Sequence, residues 1–305
     1  MSAADLSAWR ERGRMVEATP LGHRVFLIDE GDASAGPGET VFLLHGFPES
    51  SYSYSGAFGL LKERFRRVIS FDMIGYGFSD KPETGYGYSL FEQADTVLRL
   101  LRELGVTGCH LVSHDMGDSV HTELLARLNH NRPAWFADGL QTLTFTNGNM
   151  VLSKGRLRAS QRALLSPLGK LLAGRAQSLR AFEQQVRSAH GNDRLTEDNV
   201  LDMYAGATMH APRHLPAVLI GYLRERMRFE APRWLPALTE AEAPVQICWG
   251  SDDQVAPVAV ARHLKDQVRP DAKLTLIEGL GHFAQIQDPQ RWFESLAPFW
   301  DESGG

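Results

Sequence analysis

Three stretches of the chain carry residues that could do chemistry together. In Ser113-His114-Asp115-Met116-Gly117, a short apolar run (Leu111, Val112) leads into an aspartate with a small residue two places to either side. A helical pattern (Val120, Leu124, Leu125, Leu128) follows at once. Ser113 and Gly117 let strand and helix approach closely, so the middle residue can stand at a strained, exposed apex. In the Gly-x-Ser-x-Gly elbow that residue is serine, whereas here it is Asp115. A carboxylate at such a point can attack carbon directly and form an ester with the protein. Gly250-Ser251-Asp252-Asp253 follows another apolar run and supplies an acid. Gly279-Leu280-Gly281-His282-Phe283 follows a third and supplies a histidine. An acid can orient one ring nitrogen of His282, leaving the other to take a proton from water. When that water attacks an Asp115 ester, the resulting oxyanion needs donors. The backbone N–H groups of Phe47 and Met116 are placed to supply them, Met116 with the help of the helix dipole.

Each of these residues alone has an ordinary structural reading. An aspartate at a strand–helix junction is commonly an N-cap, Asp253 alone a turn residue, and His282 alone a loop histidine. Their order (nucleophile, acid, histidine), each after a strand, is what argues for function. Asp252 and Asp253 both remain candidates for the acid on position alone.

The elements that must hold these residues follow from the apolar pattern. Residues 22–29 predict an edge strand, and 40–44 a buried strand ending in His45-Gly46-Phe47-Pro48. Residues 67–72, 141–145, 245–249 and 273–277 predict further strands. Helices are expected around 58–65, over 90–104 from its apolar spacing, and at the closing segment 292–299; residues 1–18 read as an amphipathic helix or loose arm. Strands alternating with helices imply a mostly parallel sheet covered on both faces, with ligands bound at the carboxyl ends of the strands. The rhythm breaks between about 150 and 238. This stretch reads as helical, contains several prolines, and carries 14 Lys+Arg against 7 Asp+Glu, where the rest of the chain has 18 against 30. We therefore expect an α/β core in two parts, residues 1–148 and 239–305, with a helical cap inserted over 149–238.

Composition narrows the functional class. A net charge of −5 and 23% charged residues among 305 are ordinary for a soluble protein and suggest no nucleic-acid partner. No apolar run approaches the ~18 residues of a membrane span, and the first residues lack a secretory apolar stretch. Cys109 and Cys248 read as reduced core thiols without metal-ligand spacing, pointing to a cytoplasmic protein. No metal or cofactor is expected, and a monomer or homodimer both fit. The Gly-rich loop at 75–80 lacks the Lys-Ser/Thr pair of a phosphate cradle. Asp118 lies in the first turn of the elbow helix, where negative charge is favourable, and His114 points away from the pocket, supporting the turn. Pro48 shapes the oxyanion loop, with a cis bond as one means. Arg224, Arg226 and Arg228 read as a solvated helix face; the basic insertion could instead attract an anionic substrate or lipid surface.

The elbow, together with His45-Gly46-Phe47-Pro48, Gly75-Tyr76-Gly77-Phe78-Ser79-Asp80 and Gly281-His282, resembles the α/β-hydrolase group of epoxide hydrolases and haloalkane dehalogenases. Ser113–Asp118 with Phe91-Glu92-Gln93-Ala94 upstream looks closest to the branch containing the mesoderm-specific transcript proteins. The resemblance covers about residues 20–148 and 240–300 and implies the α/β-hydrolase fold, with Asp253 as the acid from its spacing after the glycine. Dehalogenases of the group hold halide with a tryptophan after the nucleophile and often an asparagine after His-Gly. Met116 and Phe47 stand there, and neither side chain donates an N–H. Epoxide hydrolases instead use two cap tyrosines to protonate the epoxide oxygen. The stretch 149–238 contains two, Tyr204 and Tyr222. Tyr222 lies about where the second is expected and Tyr204 later than the usual first; His210 and His214 are substitute donors. The resemblance implies a small apolar epoxide substrate and water, with dehalogenase and non-catalytic ligand binding as alternatives.

Overall fold

The computed structural model describes residues 3–155, 157–176 and 178–303; Met1 and Ser2 of the expected N-terminal arm, Arg156 and Gln177 of the expected insertion, and Gly304 and Gly305 lie outside the described residues. The apolar runs form strands β1 (Arg14–Glu17), β2 (Arg24–Gly31), β3 (Thr40–Leu44), β4 (Arg67–Phe71), β5 (Gly108–His114), β6 (Gly139–Thr146), β7 (Val245–Gly250) and β8 (Lys273–Ile277). They make one sheet in the order β1-β2-β4-β3-β5-β6-β7-β8. β2 is antiparallel to both neighbours, and every pairing from β4 through β8 is parallel.

Helices cover both faces, which is why the central strands β3, β4 and β5 are buried along their whole length. In the first half these are α1 (Ala3–Arg12), α2 (Ser55–Arg64), α3 (Leu90–Glu103) and α4 (Met116–His130). Phe42 and Leu44 of β3 enter the core shared with Val97, Leu101 and Val120 of α3 and α4. Val41 and Leu43, with the opposite pleat, pack with Phe58 and Leu61 of α2. α3 starts at a capping box, Ser89 Oγ accepting from Glu92 N–H and Glu92 Oε2 from Ser89 N–H, both at 3.1 Å. It then buries Leu90, Ala94, Val97 and Leu101 along one stripe; each large side chain fully buried contributes roughly 1.5–3 kcal/mol.

Among the described residues, the segment between β6 and β7 holds seven α-helices: α5 (Ala159–Leu165), α6 (Gly169–Ala176), α7 (Leu179–His190), α8 (Glu197–Thr208), α9 (Leu215–Leu219), α10 (Tyr222–Phe229) and α11 (Leu235–Thr239). A π-helical turn, Glu230–Trp234, joins the last two. Among the described residues this segment has no strand. α12 (Val258–His263), α13 (Ala284–Gln287) and α14 (Pro289–Ser303) complete the chain, and no described helix is long and apolar enough to cross a membrane.

The strands expected from sequence form within a residue or two of their expected ends, but the N-terminus differs: the strand expected at the edge, β2, lies inside the sheet between β1 and β4. The helix stops at Arg12, and Arg14–Glu17 pair as the antiparallel edge strand, Met15 opposite Phe26 and Val16 opposite Val25. An edge strand half open to water needs no apolar run, so Arg-Met-Val-Glu carries little strand signal of its own. The parallel sheet places the loops after β3, β5, β7 and β8 along one edge, which is where such sheets bind ligands.

Candidate active site

Asp115 joins β5 to α4 at φ 47° and ψ −107°, a conformation that costs a non-glycine residue of the order of 1–3 kcal/mol. The turn closes because its neighbours are glycines. A Cβ on Gly117 would lie 2.6 Å from the Leu44 carbonyl oxygen, and one on Gly46 would lie 2.7 Å from Asp115 Cβ. The carboxylate is buried. Phe47 N–H donates to its Oδ2 at 3.1 Å, while Oδ1 has no hydrogen-bond partner among the described residues. The Phe47–Pro48 peptide is cis. Met116 N–H stands at the first turn of α4, but no hydrogen bond from it to Asp115 is present, so the two expected oxyanion donors differ in the resting state. His45 shapes this loop: its Nε2 accepts from Met73 N–H at 2.9 Å, leaving Nδ1–H for the Gly46 carbonyl at 2.8 Å.

His282 Nδ1 lies 2.8 Å from Asp253 Oδ2. That carboxylate also accepts from Asn147 Nδ2 at 2.8 Å and, through Oδ1, from Val255 and Ala256 N–H at 2.7 and 2.8 Å. Four bonds accepted by two oxygens fix it as an ionised acceptor, and with it the His282 tautomer that carries hydrogen on Nδ1. Asp252 turns elsewhere, to Asn192 Nδ2 at 2.9 Å and Ser251 Oγ at 3.0 Å. Asn147 lies outside the residues singled out from sequence. Its signal was an Asn-Gly pair at the carboxyl end of a strand, on the same edge as the other loops.

Behind the apex lies an ion pair. His114 Nδ1 is 2.9 Å from Glu49 Oε2 and its Nε2 is 2.9 Å from the His282 carbonyl oxygen. Both partners are acceptors, so the ring carries both protons. Burial opposes that charge, but the Glu49 carboxylate outweighs it and lifts the His114 pKa to about 9. Asp118 behaves otherwise than a helix-start charge. It is fully buried, which pushes its carboxyl well above the usual range, and its Oδ1 lies 2.6 Å from Ser113 Oγ. Burial likewise lifts both cysteine thiols to about 12.

A cavity of about 930 Å³, counted to its open mouth, brings Asp115, His282 and Tyr222 together. Tyr222 is 3% exposed, and burial followed by the Asp115 charge holds its phenol protonated. Tyr76, not singled out from sequence, shares the wall with its hydroxyl 3.2 Å from Met116 Sδ. Of the other residues expected there, Tyr204 packs edge-on against Phe182 at 5.5 Å and is not among the cavity-lining residues. Neither His210 nor His214 lines it. The reading of Arg224, Arg226 and Arg228 as one solvated face fails at Arg226, which is 1% exposed; Arg224 and Arg228 are exposed. The helix is amphipathic, and Arg226 lies on its buried side, four residues on from Tyr222. No described group of three or more His, Cys, Asp or Glu could hold a metal.

Residues 39–289 match the family model of the α/β hydrolase fold. The chain belongs to the α/β-hydrolase family. Two relatives span nearly all of this α/β hydrolase. One, from Mycobacterium tuberculosis and named as the hydrolase LipZ, is 34% identical over 97% of this chain and 98% of its own. The other, human mesoderm-specific transcript homolog protein, is 32% identical over 96% of this chain and 87% of its own. Among solved structures, a haloalkane dehalogenase variant from Bradyrhizobium elkanii superposes with a TM-score of 0.74 at 19% identity, covering 96% of this chain and 97% of its own. The epoxide hydrolase CorEH gives 0.69 at 20%, covering 95% and 98%. At such identities the structural likeness speaks for the fold of the α/β hydrolase and not for its substrate.

Proposed function

We propose that this α/β hydrolase opens epoxides to vicinal diols through an ester of Asp115, the helices of 149–238 serving as the cap over the site. One observation carries the reading: a buried carboxylate at the elbow has one oxygen held by Phe47 N–H and the other unbonded, in the same cavity as a phenol and a histidine–aspartate pair. The unbonded Oδ1 attacks an epoxide carbon from behind, the C–O bond breaks, and Tyr222 gives its proton to the departing oxygen. Water then loses a proton to His282 Nε2 as its oxygen adds to the Asp115 carbonyl carbon. Negative charge gathers on Oδ2, where Phe47 N–H already donates and where Met116 N–H can join once charge develops. Collapse breaks the ester bond, the departing oxygen takes the proton held by His282 so that the diol leaves, and the proton left on the regenerated Asp115 carboxyl returns to the Tyr222 phenolate. Epoxide plus water gives diol, with nothing left over.

Asp253 and Asn147 support the second step by keeping His282 in the tautomer that accepts from water. Tyr76 supplies a second phenol on the same wall, a role for which Tyr204, packed on Phe182, is poorly placed. Among the described residues none lining the cavity offers an indole or asparagine N–H to a departing halide, which disfavours the dehalogenase reading.

The test is the intact mass of His282→Gln protein after exposure to panels of epoxides and haloalkanes. A gain of one whole epoxide, absent when Asp115 is also changed to Asn, supports the proposal. A gain of an alkyl group with halide release refutes it in favour of dehalogenation.

A further inference from the structure

Arg226 is the least expected residue of the fold. Its guanidinium is buried beneath the cavity, where Nε donates to Ser119 Oγ at 2.9 Å and Nη2 to the Asp115 backbone carbonyl at 3.2 Å. It also lies over the Tyr222 ring, 5.0 Å from the centroid. Among the described residues no carboxylate comes within ion-pair distance of it. The acid that feels its charge, Glu230, is held by Leu152 N–H at 2.8 Å. A buried cation without a direct ion-pair partner is costly unless nearby charge offsets it. The expense is understandable if negative charge arises beside it during turnover.

We propose that Arg226 is a positioning residue that holds Tyr222 over the elbow and stabilises its phenolate. The inference rests on the proposed protonation by Tyr222. When Asp115 attacks, its carboxylate charge disappears into the ester, and the charge reappears on Tyr222 as its proton moves to the epoxide oxygen. The guanidinium, touching the backbone of one and the ring of the other, faces the charge in both places, and no new ion has to be recruited. Of the charged groups acting on Tyr222, Asp115 disfavours a phenolate and Arg226 is the opposing cation; Tyr76 across the wall is itself held protonated by burial and then by the Tyr222 charge.

The claim can be tested without a substrate. Replacing Tyr222 by 3,5-difluorotyrosine, whose phenol ionises well below that of tyrosine, brings its titration into reach of ultraviolet and fluorine-NMR measurement. Arg226→Gln keeps a hydrogen-bonding side chain but removes the charge. It should raise the phenol midpoint by about two pH units, the size expected of a unit charge at this separation in an effective dielectric of roughly 20. Arg226→Lys should restore most of the shift, and Arg228→Met, on the exposed face of the same helix, should cause none. An unmoved midpoint in Arg226→Gln overturns the proposal and leaves Arg226 a structural staple. If the Arg226 variants do not fold, difluorotyrosine at 222 must still titrate below difluorotyrosine at 76 in protein with Arg226 intact, and the reverse order overturns the proposal. In a His282→Gln background, Arg226→Gln should slow ester formation from an epoxide at least tenfold with unchanged binding. A shifted midpoint with no epoxide reacting would remove the epoxide reading while the pairing of Arg226 with the Tyr222 charge stands.

Discussion

The buried pair behind the elbow makes stability depend on alkaline pH in a calculable way. His114 faces acceptors with both nitrogens, Glu49 at 2.9 Å and the His282 carbonyl at 2.9 Å, and its pKa is raised from 6.5 to about 9. In the unfolded chain the ring loses its proton near 6.5, whereas the folded protein keeps it to about 9. The stabilisation is therefore complete below pH 6.5 and is lost as pH rises through 9. At ~1.4 kcal/mol per pH unit the interval amounts to about 3 kcal/mol. Unfolding entropy of about 2.1 cal/mol/K per residue makes that roughly 5 °C in Tm for a chain of this length. Glu49→Gln keeps an acceptor oxygen but removes the charge that holds the proton. Melting curves from pH 6 to 10, followed by near-ultraviolet circular dichroism, should show the wild type losing this margin while the variant starts lower and stays flat by comparison. Lys81 works against the trend. Burial pushes its pKa down to about 8, so it adds stability as pH rises, but it does so in both proteins and cancels in the difference. Parallel pH curves for the two proteins would refute the charged His114–Glu49 pair.

Other perturbations separate the two chemical steps. Asp253→Asn presents an amide to a histidine nitrogen that needs an acceptor, since the other oxygen position is tied to Val255 and Ala256 N–H; ester hydrolysis should slow by about 10³–10⁴-fold, and stopped-flow mass analysis should show the Asp115 ester accumulating. Tyr222→Phe should slow ester formation by about 10²–10⁴-fold with little effect on hydrolysis of an ester already formed, measured by single turnover. Gly117→Ala forces a Cβ to within 2.6 Å of the Leu44 carbonyl oxygen and should cost about 1–3 kcal/mol in urea unfolding, with activity falling alongside as the elbow is displaced.

Chain order and local pattern were enough to reach the sheet, the elbow and the residues that follow each strand. Those features are local: the apolar run of Leu111-Val112, the small residues around Asp115, and the helical stripe of α3 act within a few residues of themselves. A parallel sheet then sends its strand ends to one edge, so the order Asp115, then Asp252 or Asp253, then His282 carries positional meaning in the sequence, and the choice of Asp253 rests on the resemblance. β1 escaped because an edge strand borrows its order from β2.

What the tertiary structure alone decided was which partners meet across long separations. Asn147 reaches Asp253 over 106 residues, Glu49 reaches His114 over 65, and Arg226 reaches Asp115 over 111. None of these pairs leaves a periodic trace. Arg226 looks in sequence like its exposed neighbours Arg224 and Arg228, and only the docking of α10 against the elbow turns one of the three inward. The same holds for the tyrosines. Residue type made Tyr204 and Tyr222 candidates alike, and the packing of the inserted helices put Tyr222 on the cavity wall, left Tyr204 against Phe182, and brought Tyr76 in from the opposite loop. A side chain's type is local information, but its surroundings are set by the packing of helices far apart in the chain, and chemistry depends on both.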